Sequence, residues 1–455
     1  MRKVVKREAA PTIGLVSLGC AKNAVDLQVM AGYLLAAGFE LAPDANEADV
    51  LLVNTCAFIE AAREEATMEI MRACDLKAQG ACRAVVVSGC FAQRYGEKLV
   101  DLFPTVDAWV GIDSLDRIGV IVQQALANTD EIVYDVEPAV PCRVFNPPVP
   151  ALRFTSSAFA YLKIAEGCAH ACAYCAIPGI RGKYRSRPVK AIVDEAKELL
   201  ASGVKELNVI AQDPMLYGVD LKPSGRTKTN LVSLLKKLDK LDGDFWIRVL
   251  YSYPSEITEE YLEWLNTSPH AVKYVDVPLQ HTDPAILKAM RRGSAVKASL
   301  EAATRLRAAV PGVTLRTTVM TGFPGETPES FARLLADVKT MQFDHLGAFA
   351  FSPEEGTVAA KLPDCPPLKE AQRREKKVMA AQRRVWDEKA KTFVGQTQRA
   401  LVVDEGIARL ASQAPDVDGV VYLTKKGRKP FPTVGTFIDV TITAVREFDF
   451  EATYA

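Results

Sequence analysis

The sequence has no excess of charge of either sign and no long apolar run. Lys and Arg together number 56, as do Asp and Glu, so no overall field draws the chain to nucleic acid or to an anionic membrane. No apolar run reaches the roughly 20 residues needed to cross a bilayer. With 455 residues, 49% of them apolar, the chain is long enough for two or three globular domains.

Ten cysteines are the main chemical feature that is present. We expect a cytoplasmic protein, and in a large chain from a reducing compartment cysteines indicate metal binding or catalysis more often than disulfides. Three of them end similar Val/Leu-rich runs: "IGLVSLGC" at Cys20, "VLLVNTC" at Cys56 and "AVVVSGC" at Cys90. Each run is typical of a buried parallel strand. Helical patterns follow at residues 24–37, 58–77 and 91–102.

The three strand-ending cysteines are predicted to converge, because the carboxyl ends of parallel strands meet at one edge of a sheet. A free cysteine is usually only a small buried apolar residue. We keep that interpretation for the cysteines without this register, which are Cys74, Cys82, Cys142 and Cys365.

A second series of alternating strands and helices follows a proline-rich linker at residues 137–150. Strands are predicted at 159–165, 207–211, 245–251, 272–277, 314–320 and 345–351, and helices at 189–201, 231–238, 257–265, 284–291 and 328–340. Six such units favour a parallel barrel or an open part of one. A charged surface helix is predicted at 368–389, and the β-rich pieces beyond Gly395 predict a small closed barrel.

A second group of three cysteines, Cys168, Cys172 and Cys175, follows the first strand of this series. Structural zinc sites usually fill four positions with protein ligands, and no fourth cysteine follows nearby. We interpret His170, which lies between the cysteines, as exposed or bonded to backbone. A four-iron cluster held by three thiolates would keep one iron open for a substrate ligand.

This C-x3-C-x2-C spacing, with Tyr174 before the last cysteine, resembles the radical S-adenosylmethionine enzymes. The resemblance implies that the open iron holds S-adenosylmethionine and that electron transfer cleaves it to a 5'-deoxyadenosyl radical. Three further motifs end or follow later strands, where polar residues and glycines form the binding sites of barrel proteins. They are "IAQD", "PLQH" and "TGFPGET". Capping by Asp213 and turn formation by Gln280 are open alternatives. The predicted cofactor contacts are Tyr174, Gln212, Asp213, Gln280, Arg316, Gly322, Phe323 and Gly325.

The whole chain resembles the methylthiotransferases. That resemblance implies an α/β multidomain protein, with a methylthiotransferase domain at residues 1–140 and a linker at 141–152. An open (β/α)6 radical domain follows at 153–394 and an antiparallel β-barrel of the TRAM type at 395–455. It also implies a second [4Fe-4S] cluster on Cys20, Cys56 and Cys90, which carries the sulfur to be methylated, and two molecules of S-adenosylmethionine per turnover.

The motifs "SLGCAKNAVD", "IAQDPMLYGVD" and "APDVDGVVY" resemble the branch that modifies the β-carbon of an aspartate in a small-subunit ribosomal protein. The implied partners are that protein or the assembled subunit and an electron donor, with rRNA contact through the C-terminal domain. One departure is Leu27-Gln28, where the family usually has Ser-Glu. Residues 396–455 contain seven Lys and Arg against eight Asp and Glu, which suits a basic protein better than RNA, although "KKGRKP" is a local basic cluster.

Three alternatives stay open from the sequence. The first is a tRNA adenosine methylthiotransferase with the same chemistry, which would bind tRNA with a steep dependence on salt. The second is a non-enzymatic iron-sulfur protein that binds the ribosome or carries electrons, which would not need open iron sites. The third is a zinc scaffold, which metal analysis would distinguish.

Overall fold

The computed structural model describes residues 10–127, 131–137, 140–146, 156–221, 229–425 and 430–454. Its contacts divide the chain into two compact units. The first comprises the described residues up to 154 together with residues 177–185, and the second comprises residues 155–176 and 186–455. Among the described residues, each helix is too short or too polar to span a bilayer.

The first unit is built on a six-stranded parallel sheet in the order β2-β1-β3-β4-β5-β6. Both β3 and β4 are buried along their whole length, as expected for Val/Leu-rich strands that are covered on both faces. The predicted parallel α/β domain is confirmed. Its strands are β1 (Thr12–Ser17), β2 (Glu40–Leu41), β3 (Val50–Thr55), β4 (Ala84–Gly89), β5 (Ala108–Val110) and β6 (Val133–Asp135).

Two of the three helices predicted in the first unit, at 24–37 and 58–77, correspond to helices at Ala21–Ala36 and Glu60–Ala78, and the last two helices of the unit were not predicted. The single helix predicted over 91–102 is wrong, because Gly96, with φ 47° and ψ −124°, interrupts it. Leu27, one of the two departures from the family pattern, is 1% exposed on the core face of the first helix. The helices are α1 (Ala21–Ala36), α2 (Glu60–Ala78), α3 (Cys90–Tyr95), α4 (Glu97–Leu102), α5 (Ile118–Ala127) and α6 (Ile177–Arg181).

Six parallel strands form the larger part of the second unit. β7, β10 and β11 pair in one sheet and β12, β13 and β14 in another, and a parallel bridge between Ile247 and Ala271 links the two. No ladder in the described part of the chain joins β7 to β14, so the barrel is open, as predicted. The six strands are β7 (Phe159–Lys163), β10 (Glu206–Ile210), β11 (Trp246–Val249), β12 (Tyr274–Asp276), β13 (Thr314–Thr321) and β14 (His345–Ala350), and the short strands β8 (Ala165–Glu166) and β9 (Arg185–Ser186) pair with each other in a separate sheet.

Helices alternate with these strands. Two of them, α7 and α8, have the predicted bounds, whereas α11 was not predicted because its buried face consists mostly of Ser and Ala and gives a weak apolar signal. The helices are α7 (Val189–Ala201), α8 (Leu231–Leu238), α9 (Glu259–Thr267), α10 (Pro284–Ala289), α11 (Val296–Ala309), α12 (Pro328–Met341) and α13 (Leu368–Lys391).

A closed five-stranded barrel in the order β15-β16-β17-β19-β18 completes the second unit. Four strand pairs are antiparallel, and β17 pairs with β19 in parallel. Trp386 and Ala390 of α13 belong to its apolar core. Residues 426–429 of the basic cluster lie outside the described residues. The strands are β15 (Thr397–Asp404), β16 (Ile407–Leu410), β17 (Val421–Thr424), β18 (Phe437–Arg446) and β19 (Asp449–Tyr454).

The segment between β16 and β17 is bonded to side chains of the large barrel's strands. The Tyr161 hydroxyl donates to Asp416 Oδ2 at 2.6 Å, and the Tyr274 hydroxyl donates to Asp418 Oδ2 at 2.7 Å. Arg248 Nη1 donates to the carbonyl of Ala411 at 2.9 Å. These bonds fix the small barrel to the large one through buried polar groups.

Candidate functional site

The cysteines of the first set all follow neighbouring strands of the parallel sheet. Cys20 precedes the first turn of α1 just beyond β1, Cys56 directly follows β3, and Cys90 is the first residue of α3 after β4. Because β1, β3 and β4 are adjacent, the three residues lie at one edge of the sheet. Gly19 permits the close approach: its φ is +90°, and an added Cβ would lie 2.7 Å from Cys56 Cβ.

One buried side chain, Asn23, ties the three cysteine loops together. Its amide nitrogen donates to the carbonyls of Leu18 and Thr55, each at 2.9 Å. These carbonyls belong to the loops that carry Cys20 and Cys56. The Cys90 thiol lies 3.7 Å from Asn23 Oδ1. Local sequence patterns give Asn23 no role, since its contacts join segments that are distant along the chain.

The thiols of this set differ in their tendency to ionise. Although Cys20 is exposed, the protein atoms around its thiol oppose ionisation by partial desolvation, but Lys22 and Arg181 outweigh this effect and lower its pKa. Burial raises the pKa of Cys56 and raises the pKa of Cys90 to about 12. Binding to a metal would supply the positive charge that makes buried thiolates stable.

The cysteines of the second set lie on the loop that follows β8. The N–H of Ala173 donates to the carbonyl of Met290 at 3.0 Å, and the N–H of Ala359 donates to the carbonyl of Ala173 at 2.8 Å. Burial raises the pKa of Cys168 to about 11. The loop between Cys168 and Cys175 is thus held from two other segments of the second unit.

His170 and Asp213, together with Tyr253 and Arg292, which the sequence gave no reason to select, also hold this loop. His170 Nε2 lies 2.6 Å from Asp213 Oδ2, and the His170 ring stacks on Tyr253 with 3.8 Å between ring centroids. The guanidinium of Arg292 lies over the Tyr253 ring at 4.1 Å and within 4.0 Å of Cys172 Sγ. His170 is therefore half-buried and bonded to a side chain rather than to backbone.

The predicted contact residue Gln212 presents an unused acceptor. Its amide nitrogen donates to Glu166 Oε1 at 2.8 Å, and Lys163 Nζ donates to Glu166 Oε2 at 2.9 Å. Gln212 Oε1, Asn208 Oδ1 and Ser252 Oγ are buried without a hydrogen-bond partner. Buried polar atoms in native proteins are rarely left unsatisfied, so the unpaired Gln212 Oε1 fits contact with a bound ligand that has hydrogen-bond donors.

Other predicted contacts gather on the same side of the barrel. Tyr174 packs against the apolar cluster that contains Phe323. The N–H of Gly322 donates to Glu326 Oε2 at 2.5 Å, and the N–H of Gly325 donates to the carbonyl of Asp364 at 3.0 Å. The turn after β13 is therefore connected by packing to the cysteine loop.

The remaining predicted contacts are placed differently. Gln280 has a φ of +70° and pairs through its backbone with Thr318 and Met320. Asp213 also accepts a hydrogen bond from the N–H of Met215, as a helix cap does. Arg316 lies in the first half of β13, where its Nε donates to Asp418 Oδ1 at 3.3 Å. Cofactor contact by these three residues stays a prediction.

Comparison with known proteins identifies the domains. Residues 12–111 match "Uncharacterized protein family UPF0004", residues 162–338 match "Radical SAM superfamily" and residues 394–454 match "TRAM domain". Two curated relatives bear the name ribosomal protein uS12 methylthiotransferase RimO. The one from Opitutus terrae is 39% identical, over 97% of this chain and 96% of its own. The one from Syntrophus aciditrophicus is 41% identical, over 97% and 98%.

The chain belongs to the RimO family. The resemblance to the methylthiotransferases and to their ribosomal branch is thereby confirmed. A solved structure of the radical S-adenosylmethionine methyltransferase TsrM from Kitasatospora setae has a TM-score of 0.54 and 16% identity, covering 75% of this chain and 72% of its own. At that identity the similarity supports the fold alone.

Both sets of thiols in this member of the RimO family fit iron-sulfur ligation. Thiolates are the preferred protein ligands of such clusters. Besides burial, the charge of neighbouring thiolates in the same set raises the pKa of Cys56, Cys90 and Cys168. Among the described residues, no three His, Cys, Asp or Glu side chains are grouped closely enough to hold a single metal ion. A cluster of several iron atoms requires its ligands to lie farther apart than one ion does.

Replacing Gly322 by alanine should destabilise the second unit by about 1–3 kcal/mol, the usual cost of overpacking. An added Cβ would lie 2.2 Å from Ala371 Cβ on α13, and φ is +74°. Gly325 is the matched control: its φ is +84°, but nothing lies within 4 Å of an added Cβ. Thermal unfolding should show a larger loss for Gly322→Ala than for Gly325→Ala. Equal losses would mean that α13 moves aside without cost.

Proposed function

We propose that this protein methylthiolates the β-carbon of an aspartate in ribosomal protein uS12, as the names of its full-length relatives suggest. The observation that carries the proposal is the presence of two separate three-cysteine sites on one chain. One is Cys20, Cys56 and Cys90 at the edge of the parallel sheet, and the other is Cys168, Cys172 and Cys175 on the barrel loop. A radical enzyme that both activates carbon and delivers sulfur needs two such centres.

Each site would hold one [4Fe-4S] cluster, and the barrel would also bind S-adenosylmethionine. When bound, these cofactors supply a 5'-deoxyadenosyl radical that removes hydrogen from the substrate carbon and a methylated sulfur that replaces it. The cysteines would be the cluster ligands. Gln212 would contact S-adenosylmethionine through its unpaired Oε1, and the Gly322–Gly325 turn would help to position the cofactor.

The protein's own side chains would orient the cofactors and exclude water. Arg292, which lies between the Tyr253 ring and Cys172, would hold the cysteine loop in place. Tyr174 packs against a group of apolar side chains that contains Phe323, and this packing would keep solvent from the radical. An external electron donor, contact of the C-terminal barrel with rRNA and action in the cytoplasm, where ribosomes assemble, belong to the same proposal.

The proposal is tested by mass spectrometry after anaerobic reaction. Reconstituted protein with S-adenosylmethionine, sulfide and reductant is incubated with small ribosomal subunits in one tube and bulk tRNA in another. A methylthio group should appear on an aspartate of uS12. Modification of tRNA adenosine alone would overturn the ribosomal assignment but keep the radical chemistry.

Two cysteine variants provide the control for this experiment. Cys56→Ala removes a proposed ligand and should block sulfur insertion. Cys365→Ala changes an exposed cysteine outside both sets and should leave the product yield unchanged. Product formation by Cys56→Ala at the unaltered rate would contradict a role for the first set in sulfur delivery.

A further inference from the structure

The segment immediately after the second set of cysteines packs with the first unit. Residues 177–185 follow Cys175 in sequence, yet their contacts belong to the unit that contains the parallel sheet. Arg185 anchors the segment there, since its guanidinium donates to the carbonyls of Pro141 at 2.9 Å and Arg143 at 3.0 Å. Arg181, the last residue of α6, is held in a defined position as a result.

Arg181 is buried beside the first set of thiols. Its side chain is 1% exposed, and its Nη2 lies 2.8 Å from Asn23 Oδ1, 2.9 Å from Asp26 Oδ2 and 3.3 Å from Cys90 Sγ. Asn23 and Asp26 are one turn apart on α1, so this helix supplies both oxygen acceptors. The orientation of Asn23 is fixed by its bonds to Leu18 and Thr55, which directs Oδ1 to Arg181.

Stability alone does not explain why Arg181 is buried, because the free-energy cost of desolvating a charge commonly cancels the gain from one ion pair. Asp26 neutralises the charge of Arg181. If neutralisation were the only role of this ion pair, two apolar residues could take its place without loss of stability. The contact with Cys90 distinguishes this pair, since three ligating thiolates would concentrate negative charge at the site. A guanidinium that donates to one sulfur opposes that accumulation.

We propose that Arg181 is a positioning residue of the first cysteine site, and that its hydrogen bond to Cys90 Sγ raises the reduction potential of the iron-sulfur cluster held there. The inference rests on the proposed second cluster. A reduced cluster carries one more negative charge than an oxidised one, so a nearby cation and a hydrogen bond to sulfur favour reduction. Arg181 thereby links the folding of α6 to the electronic state of the sulfur-delivering site.

The test measures the reduction potential in a protein that retains only the first site. The Cys172→Ala background removes a proposed ligand of the other cluster, and the remaining cluster is titrated anaerobically and followed by EPR. Arg181→Met should shift the potential to more negative values. An unchanged potential would overturn the inference. If the background protein binds no iron, the two-cluster proposal fails instead, so the two failures are distinguishable.

Two further variants separate an electronic role from a structural one. Arg181→Met leaves Asp26 buried without its cation, so Arg181→Gln combined with Asp26→Asn removes both charges and should fold if the first variant does not. This double variant should also show the more negative potential. Lys183→Met is the matched control, because Lys183 is exposed in the same segment, and its potential should equal that of the background. If Lys183→Met shifted the potential as much as Arg181→Met does, the loss of any positive charge in the segment, rather than the contact with Cys90, would explain the shift.

Discussion

Replacing Cys172 by alanine should abolish the reductive cleavage of S-adenosylmethionine. The sulfur of Cys172 lies on a loop held by other contacts, including the Cys175 N–H, which donates to the Cys172 carbonyl at 3.1 Å. Alanine keeps this backbone bond and removes only the sulfur. Two cysteines cannot hold a four-iron cluster that also keeps one iron open for the cofactor. The measurement is 5'-deoxyadenosine formed by the anaerobic, reduced protein, quantified by chromatography.

Cys56→Ala provides the contrast for this prediction, since its sulfur lies in the first unit. It should retain cleavage of S-adenosylmethionine while losing sulfur transfer, and about half of the iron should remain bound in either variant if each site holds one cluster of equal size. Undiminished 5'-deoxyadenosine from Cys172→Ala would contradict the assignment of the radical site. Loss of cleavage in both variants would indicate that the two sites depend on each other for folding or loading.

Replacing Glu206 by glutamine should destabilise the second unit by about 3–5 kcal/mol, the usual cost of breaking a buried ion pair. Glu206 is 0% exposed and joins two guanidinium groups. Its Oε1 accepts from Arg248 Nε at 2.7 Å, and its Oε2 accepts from Arg409 Nη2. Glutamine would leave two buried cations facing one neutral amide. The second unit should melt at a lower temperature, and the peptides of β10 and β16 should exchange hydrogen faster.

The pH dependence of stability gives the same prediction a second readout. Burial opposes ionisation of Glu206, but Arg409 and Arg248 outweigh it and lower its pKa. The carboxylate therefore contributes stability at neutral pH, and this contribution is lost as pH falls below the unfolded value of about 4.3 and through the lower folded pKa. The Glu206→Gln protein should lack this part of the acid sensitivity.

Glu405→Gln is the matched control for the stability measurement, because Glu405 is exposed in the turn between β15 and β16. Surface substitutions usually change stability by about 0.5 kcal/mol or less. A melting temperature of Glu206→Gln close to that of Glu405→Gln would mean that the two arginines find other acceptors when the carboxylate is removed.

Local sequence patterns were sufficient to predict the strands and helices with a clear apolar pattern. Short Val/Leu-rich runs specify β3 and β4, because a strand buried along its whole length is mostly apolar. Helices α7 and α8 were predicted with their observed bounds because each has a clear apolar stripe. Helix α11 was not predicted, because the small residues on its buried face give a weak apolar pattern. The helix predicted at 91–102 is two helices, because Gly96 interrupts it.

The sequence by itself determined the cysteine spacing, the order of the domains and the family, since each is written in contiguous residues. Only the tertiary structure decided which side chains surround the thiols. Arg181 meets Asn23 across 158 positions of sequence, and Arg409 meets Glu206 across 203. A buried charge needs a partner nearby in the folded protein. Local periodicity cannot predict that partner when it lies on a strand or helix distant along the chain.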